Sequence, residues 1–384
     1  MYSPSFFARP TRRRLLQGGA LAAMGHSAFA SAPATAAEPA GRPCAVAQIM
    51  DMSAGQQDVS RDFVAGARAA WQGINAGGGL RGRPVQHLSI DVDGSAASLG
   101  AAIRKVRDAG NCLALCGTVG DATAAQAMAA LRGAGLQMAH AAPWLMNSSV
   151  VVDDYTFPIF AGRQEQIEHA LKSLAVMGMR EAGVVYATAQ DAVQYHEDLE
   201  RIAAGMQLKL QSFRADGQLR ALGGRLGPAT PALMLFIGGT PELAQFTQGL
   251  DRQPRQRYVV ALADVNLQAL TQMGLKAGTS IVVAQPVPMV SSSLAVVRAY
   301  REANGRFFAE EPTALGLAGF IAARYTFEVL RTHEGPLTAA AVLASFQRRA
   351  ETDVGGYRVV FGPQKRSGTY VTQSMLSPDG RIVG

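Results

Sequence analysis

Cysteine is scarce in this 384-residue chain, with only Cys44, Cys112 and Cys116, so at most one intrachain disulfide can form and a disulfide-stapled miniature scaffold is excluded. Charge is modest at 17% Asp, Glu, Lys and Arg, and no Lys/Arg cluster is interleaved with aromatics, which leaves nucleic-acid binding without support. No apolar run approaches the roughly 20 strongly hydrophobic residues that a membrane span needs. Catalytic signatures are missing too: there is no phosphate loop, no Gly-x-Ser-x-Gly elbow and no His-Glu-x-x-His pair. His87, His140, His169, His196 and His333 lie scattered without metal-ligand spacing. A Ser/His/Asp triad, whose members meet only in the fold, is not excluded by sequence, but nothing in the sequence favours it.

The letters Gly77-x-Gly79-x-x-Gly82 match a dinucleotide fingerprint. Their context is reversed, however: they follow a helix ending near Ala76 and precede a strand starting near Pro84, whereas pyrophosphate binding requires strand, turn, then helix. The glycines read instead as a helix end and a tight turn. No cofactor is expected.

What is present begins with an export signal. Thr11-Arg12-Arg13-Arg14-Leu15-Leu16-Gln17 is followed by a short Gly- and Ala-rich apolar run broken at His26 and Ser27, then by small residues, the order of a signal peptide. The paired arginines resemble the twin-arginine consensus, which sends folded proteins across the bacterial inner membrane. Cleavage is expected after Ala30, or alternatively after Ala36, which makes residues 1–30 the signal. That segment holds four of the 36 Lys and Arg and none of the 29 Asp and Glu, so the net charge falls from +7 to +3 on removal. Cys44 lacks the Leu-rich box of a lipidated cysteine, and a soluble periplasmic product is expected. In that oxidising space, two cysteines on one strand four residues apart, roughly 13 Å, cannot pair. Either Cys44 bonds Cys112 or all three are small buried hydrophobes.

From Cys44 onward, near-continuous apolar runs at Cys44–Met50, Cys112–Cys116, Ala182–Tyr186, Ala232–Ile237, Tyr258–Ala261 and Ser280–Ala284 read as strands buried on both faces. Between them, helical faces are marked by Phe63, Ala67, Ala70, Trp71 and Ile74, by Ala101, Ile103 and Val106, and by Leu243, Phe246 and Leu250. The alternation predicts an α/β fold of two doubly wound parallel-sheet lobes. A helical block follows over Ser293–Asn304, Thr313–Thr332 and Leu337–Arg348, and the tail from Gly355 reads as short strands. The chain therefore crosses between lobes more than once, a multi-crossing hinge near Phe160–Arg163, Ala284–Pro288 and Tyr357–Pro363. Residues 44–160 with 286–356 form lobe 1, and 161–285 with 364–384 form lobe 2.

Met52-Ser53-Ala54-Gly55, then Gly66-Ala67 through Ile74-Asn75-Ala76-Gly77-Gly78-Gly79-Leu80-Arg81-Gly82, resembles the branched-chain amino-acid-binding family of periplasmic proteins. The resemblance continues through Asp91-Val92-Asp93, Gly117 to Thr123, Gly135-Leu136-Gln137-Met138, Tyr195 and Gly238-Gly239, covering nearly all of residues 44–384. It implies a type I periplasmic binding protein fold. Such a protein is a monomer that closes on a small molecule, an amino acid, amide or aromatic acid, and hands it to the membrane permease of an ABC importer, docking peripherally.

By the same resemblance, ligand contacts fall at Asp121, Thr123, Ala142, Trp144, Tyr195, Thr240 and Asp264. Asp121 puts negative charge where a ligand carboxylate would arrive, or caps a helix. Trp144 stands where the family often has a small hydroxyl residue, and Val59 where some members have an aromatic. The indole would wall a flat, apolar or cationic ligand, or pack at the lobe edge. Asp264 would meet an amino group, or is a surface acid. Two other readings remain open: a ligand sensor of the same fold that acts on a membrane regulator, and a secreted enzyme with an unrecognised site.

Overall fold

A computed structural model of the chain describes residues 43–383 except 177, 216, 274–278, 309–310, 369 and 378–379, so the expected signal and its cleavage sites lie outside the described residues. The first lobe opens with β1 (Ala45–Asp51), α1 (Gln57–Ala76), β2 (Gln86–Val92), α2 (Ala96–Ala109) and β3 (Cys112–Cys116). It continues through α3 (Asp121–Gly133), β4 (Ala139–Ala141) and β5 (Thr156–Phe157). Its sheet is parallel, in the order β2-β1-β3-β4-β5.

The second lobe comprises α4 (Arg163–Val176), β6 (Glu181–Tyr186), α5 (Ala189–Gly205), β7 (Lys209–Arg214) and α6 (Leu219–Arg225). After these come β8 (Leu233–Ile237), α7 (Thr240–Leu250), β9 (Tyr258–Ala261), α8 (Leu267–Gln272) and β10 (Ser280–Gln285). The chain then returns to the first core with α9 (Ala295–Phe307), α10 (Ala314–Arg331), α11 (Ala339–Gln347) and the hairpin of β11 (Thr352–Val354) and β12 (Tyr357–Val359). Last, β13 (Thr372–Leu376) and β14 (Ile382–Val383) extend the second sheet antiparallel, giving the order β14-β13-β10-β9-β8-β6-β7.

The strands that the apolar runs mark are the buried central ones. In β1, β3 and β8 every residue is buried, as expected where helices cover both faces. Lobe 1 carries α1, α10 and α11 on one face and α2 with α3 on the other. The Gly66-Ala67 pair has a packing reason: a Cβ on Gly66 would stand 1.7 Å from the Gly316 carbonyl oxygen, and one on Gly319 1.8 Å from that of Phe63. Thus α1 and α10 cross backbone against backbone, and only glycine permits it. The Gly77–Gly82 stretch ends α1 and turns into β2, with Gly78, Gly79 and Gly82 all at positive φ, the structural role expected of it.

One expectation is corrected and one open alternative is decided. Ala101 is exposed; α2 buries Leu99, Ala102, Ile103 and Val106, because residues two apart do not share a helical face. The Cys44–Cys112 bond is absent, and all three cysteines are free thiols. Cys44 packs on the α1/α10 face of the sheet while Cys112 packs on the α2/α3 face, so the sheet itself separates them. Burial pushes the thiol of Cys112 up to about 11 and that of Cys116 up to about 12, as for inert core residues.

Three segments join the lobes, and they are bound to one another. The Tyr357 hydroxyl is shared between the carbonyl oxygens of Ile159 (2.9 Å) and Pro286 (3.3 Å), touching the first and second crossings from the start of the third. Thr372 donates to the Val287 carbonyl at 2.6 Å, and the Ser367 amide donates to Pro158 at 3.0 Å. At Gly368 (φ +119°) a Cβ would meet the Ala161 nitrogen at 2.3 Å.

Candidate functional site

In both lobes the carboxyl ends of the parallel strands face a common cleft of about 620 Å³. Open α/β sheets place ligands there because loops and helix starts converge at those ends. From lobe 1 come Asp51 at the end of β1, the first turn of α3, and the stretch Trp144 to Val150; from lobe 2 come the first turns of α5 and α7 and the residues after β9.

Arg163, the first residue of α4, crosses this cleft. Its Nε and Nη2 donate to the two carboxylate oxygens of Asp264 at 2.7 and 2.6 Å, a bidentate fork. Its Nη1 donates to Asp121 at 2.5 Å and to the Tyr195 hydroxyl at 2.6 Å. The guanidinium also lies over the Tyr195 ring, 5.2 Å from its centroid. Burial disfavours the charged arginine, yet Asp264 and Asp121 outweigh that cost and hold its pKa well above the usual value. Burial first, then the surrounding aspartates, raises the Tyr195 phenol against the pull of Arg163, so the hydroxyl stays neutral.

Of the seven residues expected at the site, Asp121, Trp144, Tyr195 and Asp264 line one cleft. Asp121 does not cap α3: Gly120 holds that position, and Asp121 follows it, its Oδ1 accepting from the amides of Met146 (2.6 Å) and Asn147 (2.9 Å). Trp144 is buried, packed edge-on against Phe63 (5.6 Å) and Phe160 (5.1 Å), and is among the residues that line the cleft. The other three lie beneath the surface. Thr123 donates to Asp51 at 2.7 Å. Thr240, opening α7, donates to Asp58 on α1 at 2.7 Å and accepts from the Asn266 amide at 2.9 Å, a contact between the lobes. Ala142 holds a left-handed φ of +48° just before Pro143, where the chain turns from β4 toward the cleft. Such a backbone costs about 1–3 kcal/mol and persists only where the surroundings enforce it. Val59 is buried in α1.

Sequence reasoning passed over Arg163 as more than a crossing residue, and it missed Asp51, Gln56, Asp191, Gln194 and Glu242, all of which line the cleft. Asp191 and Glu242 carried a usable signal: each is an acid in the first turn after a central strand. Asp191 closes a capping box with Thr188, and burial raises its pKa against those hydrogen bonds and Arg163.

A family model described as periplasmic binding protein matches residues 43–375. No curated protein matches the chain in sequence. Among solved structures, an extracellular ligand-binding receptor from Verminephrobacter eiseniae superposes with a TM-score of 0.80 at 19% identity, covering 89% of this chain and 100% of that one. A possible leucine/isoleucine/valine-binding protein from Rhodopirellula baltica gives 0.76 at 17%, covering 91% and 98%. A branched-chain amino acid transporter substrate binding protein from Streptococcus pneumoniae, in complex with isoleucine, gives 0.72 at 14%, covering 89% and 98%. With two parallel-sheet lobes facing one cleft and a family match over most of its length, the chain belongs to the periplasmic binding protein family.

Proposed function

We propose that this chain captures a small molecule between its lobes in the periplasm and delivers it to the membrane permease of an ABC importer. The observation that carries the reading is the cleft at the carboxyl ends of both sheets, spanned by Arg163 between Asp121 of one lobe and Asp264 of the other. Solved structures of the same fold include an ABC transporter substrate-binding protein in complex with Leu, which supports the transport role. In this reading Asp121, Trp144, Tyr195, Asp264 and Arg163 meet the ligand, and Thr123, Ala142 and Thr240 hold the walls. Lobe 1 (44–160 and 286–356) and lobe 2 (161–285 and 364–384) close about the three crossings. Residues 1–30 act as a twin-arginine signal, and the mature chain works as a monomer without catalysis.

Calorimetry and thermal shift against amino acids, amides, amines and aromatic acids test the reading. A ligand at 100 times its dissociation constant adds about 2.7 kcal/mol of stability and is recovered chemically unchanged. Turnover of the bound compound, or no saturable binding across the panel, overturns it. Changing Arg12 and Arg13 to lysine leaves the precursor in the cytoplasm if the signal is read as twin-arginine; undiminished export rejects that assignment.

A further inference from the structure

We infer that the ligand of this cleft is a small organic cation without a free carboxylate, such as an amine, amidine or guanidine. The inference rests on the binding reading above and adds the charge class of the ligand. Five acids line the cleft, Asp51, Asp121, Asp191, Glu242 and Asp264, against a single base, Arg163.

That base is already engaged. An arginine offers five N–H groups, and the four hydrogen bonds of Arg163 go to Asp264 twice, to Asp121 and to Tyr195. An incoming carboxylate would have to displace one of these aspartates, and a displaced aspartate would remain beside it as a second negative charge.

The helix starts that ordinarily receive an anion are matched internally. Five helices begin at the cleft, α1, α3, α4, α5 and α7, and each carries its own acid in the first turn: Asp58, Asp121, Glu165, Asp191 and Glu242. The partial positive charge of each terminus is offset before any ligand arrives. Two further amides that could have held a carboxylate, those of Met146 and Asn147, donate to Asp121 instead.

Besides the side-chain amides of Gln56, Gln190 and Gln194, what remains for a ligand is acceptor capacity. Glu242 makes no hydrogen bond or ion pair among the described residues, and the side-chain bonds of Asp191 stay within its own helix cap. Both line the cleft from lobe 2. A cation bearing N–H donors would satisfy these carboxylates, whereas an anion would meet a net negative cleft whose one arginine already has four of its five N–H groups on protein acceptors.

The mature protein, saturated with a bacterial metabolite extract, washed and heated, releases its bound compound for ion-exchange separation at neutral pH and mass identification. The expected compound is retained on a cation exchanger and lacks a carboxylate. A released zwitterionic amino acid or an organic acid overturns the inference while leaving the binding reading intact; release of nothing refutes the binding reading itself. The identified compound is then titrated into the Asp191→Asn, Glu242→Gln double variant. Its affinity should fall at least about tenfold, the effect of losing charge-assisted hydrogen bonds, with the circular-dichroism spectrum retained and the melting temperature not lowered. Affinity equal to that of the parent protein overturns the assignment. Arginine and agmatine, which differ by one carboxylate, supply a direct pair: agmatine is expected to bind more tightly, and a preference for arginine counts against the inference.

Discussion

Two of the ties between the lobes are built from opposite materials. Around Tyr357 the ties are neutral, one tyrosine hydroxyl shared by two carbonyl oxygens, a threonine and a backbone amide each on one more, and a glycine against backbone, and the exposed Lys365–Asp154 pair lies outside them. Across the cleft the tie is ionic, one guanidinium between two carboxylates. Neutral bonds of this kind do not respond to salt or to a charged ligand, and Tyr357 stays protonated because burial raises its phenol far above the ordinary value. The guanidinium bridge has the opposite property, since any cation or anion entering the cleft competes with one of its members. One end of the molecule is thereby suited to stay fixed while the other exchanges partners.

The largest effect should come from adding a single carbon at the fixed end. Gly368→Ala combines a disfavoured positive φ with a Cβ 2.3 Å from the Ala161 nitrogen. The strain and overpacking together should cost about 3–5 kcal/mol. Chemical denaturation measures it, and a change below about 1 kcal/mol would mean that the crossings are looser than the comparison holds.

Removing the ionic tie should come next. Arg163→Met keeps much of the side chain's length but leaves Asp121 and Asp264 facing each other with no cation between them. The Arg163 side chain is 13% exposed, so the loss should approach that of breaking a buried pair, about 2–3 kcal/mol at neutral pH. Raising salt should narrow the gap between variant and parent, whereas it should leave the Gly368→Ala penalty unchanged. Equal salt responses in the two variants would erase the distinction between the ends.

This contrast also explains what the sequence disclosed. Central strands such as Cys112–Cys116 and Tyr258–Ala261 were legible to the residue, because burial on both faces demands an unbroken apolar run. The edge strands escaped. In β7 no residue is fully buried, and β5 is two residues long, so neither has a pattern to read. Helix ends were legible where capping chemistry is local, as at Thr313 and Thr332 around α10. Arg163 was not, because its partners lie 42 and 101 residues away and nothing near it in the chain announces them. Asp121 and Asp264 were found through resemblance alone, and that route suggests a ligand's charge without showing that an arginine of this chain already holds both.

At the neutral end, Tyr357→Phe removes one hydroxyl and leaves the carbonyl oxygens of Ile159 and Pro286 without that donor. The expected loss is about 1–2 kcal/mol, read by thermal or denaturant unfolding, and it should be flat from pH 5 to 9. A loss that varies with pH across that range would show that the site is not the neutral anchor described.

The smallest effect isolates one charge at the exchanging end. Burial raises the Asp191 pKa above the ordinary carboxylate value, so the folded protein holds a proton there more tightly than the unfolded chain does. The ionised side chain therefore opposes folding, and its penalty is present above the raised pKa and disappears as the pH falls below the unfolded value. An asparagine at this position would still accept from Thr188 without carrying the charge, although it gives up a favourable interaction with the start of α5. Asp191→Asn should consequently stabilise by about 0.5 kcal/mol at pH 7, an amount that shrinks toward pH 3 when variant and parent are melted side by side. If Asp191→Asn is less stable than the parent at pH 7, the acid is held by stronger local bonds than its burial opposes, and it serves α5 rather than the cleft.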